Sequence, residues 1–124
     1  MDSILVSIKK LLGIDEYCEH FDTDVIMHIN STLAILNQLG VGPSEGFFVT
    51  DSRQTWKDFV GDRTDIELVK TYVYMKVRLM FDPPQSSSVI ESMKSLISEL
   101  EWRLNVAVDP GKKSEGEEVN QNGV

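Results

Sequence analysis

The run from Thr71 to Phe81 is apolar on most sides at helical spacing, and Asp82-Pro83-Pro84 follows it directly. Proline has no N–H to donate, its ring clashes with the preceding turn, and it drives the residue before it out of the helical region. The acid and the two prolines therefore force a helix boundary and a change of direction. A helix that is apolar on most sides is buried on most sides. This run is expected to be the central helix of the core.

Other starts and stops divide the rest of the chain. Thr64-Asp65-Ile66-Glu67 has the form of a capping box, in which hydroxyl and carboxylate each satisfy an orphaned backbone donor, and it would open the central helix. Ile66, Val69, Val73, Val77 and Met80 make one stripe, widened by Leu68, Tyr72, Leu79 and Phe81. Beyond the prolines, Ser86-Ser87-Ser88 leads into a second such box, Ser88-Val89-Ile90-Glu91. The helix it predicts reaches about Asn105, with Val89, Met93, Leu96, Ile97, Leu100 and Leu104 inward and Trp102 near the edge of the stripe.

Two helices are expected upstream. Ser3 can cap the first, which runs to Leu12 with Ile4, Leu5, Ile8, Leu11 and Leu12 on one face and Gly13 as its stop. The second opens at Asp22 or Thr23 and runs to about Leu39. Val25, Ile26, Ile29, Leu33, Leu36 and Leu39 form its stripe, with Asn30, Ser31 and Gln38 away from it. Gly40-Val41-Gly42-Pro43 ends it. The prediction is an all-α fold, a compact bundle of about four helices.

Residues 42–61 are the least regular stretch. Phe47-Phe48-Val49-Thr50 has strand composition, while Trp56 and Phe59 suit a single amphipathic helical turn. An ordered loop with a short hairpin or a turn of helix is expected. Phe47, Phe48, Trp56 and Phe59 either expose apolar area as an interaction surface or cover the helical core.

From Asp109 the composition changes to Gly, Glu and Asn with almost no apolar residue, which reads as a disordered tail. The expected organisation is a helical domain over 1–108 and a flexible acidic tail over 109–124. The tail holds two Lys against one Asp and three Glu, so most of the net charge of −8 lies in the folded part. Such a balance disfavours a broad basic face for nucleic acid. Lys9-Lys10 and Lys112-Lys113 are the only cationic doublets. Cys18 is the single cysteine, so an intrachain disulfide is excluded, which fits a reducing compartment. The N-terminus does not read as a signal peptide, and no apolar run approaches the roughly 20 residues needed to span a bilayer. A soluble intracellular protein without membrane contact is expected.

Catalytic chemistry finds little footing. Cys18, Glu19, His20, Asp22, Asp24 and His28 are metal-ligand types, but the paired spacings of zinc sites are missing and helix capping explains the acids. Cys18 and His20 lack an orienting third group and an oxyanion hole. Gly40-Val41-Gly42 follows a helix, whereas phosphate-binding loops follow a strand. Tyr72, Tyr74 and the tryptophans could stack bases, but they are read as core residues rather than as a base-stacking platform. Neither an enzyme nor a cofactor is expected.

Five segments, taken in order, carry a resemblance: Ser3–Ile14 (SILVSIKKLLGI), Leu39–Gly46 (LGVGPSEG), Val69–Tyr72 (VKTY), Phe81–Pro84 (FDPP) and Ser98–Asn105 (SELEWRLN). Together they resemble the head–tail connector or adaptor proteins of tailed phages and prophages, over residues 3 to about 108. That resemblance implies a virion structural protein of the neck, made in the host cytoplasm. Such a protein forms a ring with itself, usually of twelve subunits, beneath the portal protein. It joins the portal to a stopper or tail-completion protein and lets DNA pass without specific binding. Related connectors grip the portal with loops or terminal segments, which makes the 42–61 loop and the tail, beginning Asp109, Pro110 and Gly111, the candidates here. Two rival readings are a small acidic inhibitor that mimics DNA toward a host protein, and a metal-dependent hydrolase using the Cys18–His28 region.

Overall fold

The computed structural model describes residues 3–108. Five helices follow one another: α1 (Ile4–Leu11), α2 (Asp22–Gln38), α3 (Trp56–Val60), α4 (Ile66–Phe81) and α5 (Ser87–Val108). Four correspond to the expected helices, and α3 is the helical turn anticipated around Trp56. The hairpin alternative for Phe47–Thr50 does not form. Among the described residues the only β-type pairing is a single antiparallel bridge between Ser3 and Thr55.

The helix stops work through backbone geometry. At the end of α1, the Ile14 N–H reaches the Lys9 carbonyl (2.8 Å) and the Gly13 N–H that of Lys10 (3.1 Å). At the end of α2, Val41 reaches Leu36 (2.9 Å) and Gly40 reaches Asn37 (3.0 Å). Both are Schellman motifs, which need a left-handed residue; Gly13 and Gly40 supply it at φ 82° and 93°. Val41 is fully buried just after the second, so the stop also seeds the core.

Two starts differ from expectation. The box proposed at Thr64 does not form. Asp65 is the N-cap of α4 without a side-chain cap, because Arg63 takes both of its carboxylate oxygens, at 2.7 and 2.5 Å. This pairing holds the Asp65 carboxyl below its ordinary 3.8. The box proposed at Ser88 also shifts: α5 begins at Ser87, and it is Ser86 whose hydroxyl lies 3.4 Å from the Val89 N–H it accepts. The complete capping box is at α3, where Thr55 Oγ accepts from Asp58 N–H and the Asp58 carboxylate accepts from Thr55 N–H, both at 3.1 Å.

Helix α4 is central. It packs on α2 along one side and α5 along another, with α1 and α3 also against it. Val69, Tyr72, Val73, Met75 and Val77 are buried along it. Each fully buried aliphatic side chain contributes about 1.5–3 kcal/mol of transfer free energy. Tyr72 donates its hydroxyl to Glu101 Oε2 of α5 at 2.7 Å. Burial, and then this bond, raise the Tyr72 pKa well above its ordinary 10.0. Asn105 of α5 donates to the Leu39 carbonyl at 3.2 Å, joining α5 to the end of α2. Among the described residues no helix is long and apolar enough to cross a membrane.

Candidate interaction surface

The connection from Gly40 to Arg63 is ordered by side chains of α2. Asn30 was expected on the face away from the stripe. Instead it is half-buried and grips the loop: its amide nitrogen donates to the Val49 carbonyl (3.0 Å) and its carbonyl oxygen accepts from the Val49 N–H (2.8 Å). One amide thereby stands in for the β-strand partner this extended segment lacks. Seven residues along α2, Asn37 donates to the Pro43 carbonyl at 2.6 Å. The two asparagines share one helical face and clamp the loop at two points.

This clamp decides which aromatics turn outward. Val49 is 1% exposed and its chain neighbour Phe48 is 69% exposed, as alternation along an extended segment requires. Phe47 is half-buried and meets Phe59 with ring centroids 5.4 Å apart. Trp56 and Phe59 are core residues. The Trp56 indole donates to Ser7 Oγ of α1 at 2.8 Å, which satisfies its polar edge inside the core. Of the four aromatics considered, only Phe48 presents its ring to solvent. Asp109, Pro110 and Gly111 lie outside the described residues.

Trp102 is 64% exposed, farther from the core than its expected place at the stripe edge. It stands two residues from both Leu100 and Leu104, which are buried, and so lies across α5 from them. The sequence signal for this was present in the helical spacing, but tryptophan's size favours assigning it to the core.

The connection between α1 and α2 is organised by a buried cation. Lys9 is 1% exposed. Its ammonium donates to the carbonyls of Glu16 (3.1 Å) and Cys18 (2.6 Å) and pairs with Asp22 Oδ1 at 2.7 Å. The last contact is an ion pair rather than an aligned hydrogen bond. Asp15, Glu16, Glu19 and Asp24 around it are exposed. Against these four exposed acids stands one exposed cation at the end of α1, Lys10, so this end of the molecule projects net negative charge.

The two histidines weighed for metal or nucleophilic chemistry pack against aromatic rings. His20 packs edge-on against Phe21 (4.7 Å), Phe21 against Phe81 (5.5 Å), and His28 against Phe81 (6.4 Å). Among the described residues, no group of three or more His, Cys, Asp or Glu side chains is placed to hold a metal ion.

The pattern of stops and apolar stripes meets a family model described as phage connector protein, which matches residues 4–111. The chain belongs to the phage connector protein family. The match covers every helix and continues through Asp109, Pro110 and Gly111. No match to the chain is found among curated proteins or solved structures. As a phage connector, it is a structural protein of a phage, and its contacts are with other phage structural proteins.

Proposed function

We propose that this connector is the ring-forming adaptor of a phage neck, joining the portal protein to a stopper or tail-completion protein and extending the DNA channel. The observation that carries the reading is the family match across residues 4–111. In this reading the body over 1–108 forms the ring with itself, and the twelvefold ring usual for such adaptors is the expected size. The tail from Asp109 and the loop that presents Phe48 reach for the portal above. An outward negative field at the α1–α2 connection fits a channel wall, since it repels phosphate and leaves DNA free to slide.

The DNA-mimic reading has less support. It requires acids spaced freely along one surface, whereas Asp22, Asp51 and Asp65 are engaged by Lys9, Arg53 and Arg63. The decisive experiment mixes the purified protein with the portal encoded beside it and images the product. Rings seated on the portal are expected. A protein that stays monomeric and ignores the portal would overturn the proposal.

A further inference from the structure

We draw no further inference here: the strongest candidate, the cavity between α1, the start of α2 and the Thr50–Ser52 turn, is lined by acids of which Asp22 and Asp51 are already paired with Lys9 and Arg53, and nothing in the structure shows what would fill it.

Discussion

The two long connections of this connector are both held by side chains from neighbouring helices, yet by opposite chemistry. The α1–α2 connection wraps around a buried ammonium, Lys9, which gathers two carbonyls and one carboxylate. The α2–α3 connection is gripped by neutral amides, Asn30 and Asn37. Charge gathers many acceptors at one point but leaves a large deficit if removed. An amide can donate and accept at once, so it holds an extended backbone on both of its polar groups. The first arrangement makes a knot and leaves acids facing outward. The second makes a rail that sets which aromatic faces out.

The sharpest way to break the contrast is Lys9→Met. It fills the space but strands two carbonyls and the Asp22 carboxylate. Losing one partner of a buried pair costs about 3–5 kcal/mol. Asp22 retains 26% side-chain exposure, so the lower end, about 3 kcal/mol, is expected in urea denaturation. Asn30→Ala should cost less, about 2 kcal/mol, since it leaves the Val49 N–H and carbonyl unpaired. Asn30→Asp should restore little of it, because a carboxylate accepts from the N–H yet repels the carbonyl. Should the two alanine- or methionine-type losses prove equal, the distinction between knot and rail would not hold.

A contact that belongs to neither connection serves as the reference. Tyr72→Phe removes the bond to Glu101 and should cost about 1–2 kcal/mol at neutral pH. The folded-state pKa of Tyr72 is raised above its ordinary 10.0. Its contribution is therefore present below pH 10 and is lost as the pH rises beyond it. Alkaline unfolding followed by circular dichroism should be less steep in the variant. The tip of the rail titrates at the other extreme. Arg53 holds the exposed Asp51 carboxyl below its ordinary 3.8. The turn should be intact above pH 3.8 and loosen as the pH falls below it, seen as a loss of protection at the Arg53 amide relative to its intrinsic exchange rate at each pH. The smallest stability effect belongs to Phe48→Ser, within about 0.5 kcal/mol. Its consequence should appear in portal binding; unchanged binding would leave the rail without a presenting role.

Much of this fold was legible from local signals. Gly13, Gly40 and Asp82-Pro83-Pro84 end helices where the sequence says they must, because those stops act within a few residues. The starts were less legible, since capping is decided by competition. Arg63 draws off Asp65, Ser86 takes the place of Ser88, and the real box uses Asp58 where Glu or Gln is the usual signal. The rail was illegible because Asn30 and Val49 are nineteen residues apart. Nothing near Asn30 distinguishes a gripping amide from a solvated one. Trp56 and Trp102 show the same limit in reverse: one sits in an irregular stretch and is buried, the other in a regular helix and is exposed.

The first helix also bears on how the chain is made. Ser3 pairs with Thr55, the Ile4 N–H donates to the Gln54 carbonyl, and Ser7 receives the Trp56 indole. These three anchors of the start of α1 all lie some fifty residues downstream. On a ribosome that extends the chain by roughly 5–20 residues each second, α1 emerges seconds before those anchors exist. Helix α2, made next, packs on part of α1, but these three bonds must wait for the middle of the protein to arrive. The anchoring of the start of α1 is therefore completed only once residues 54–56 have been made.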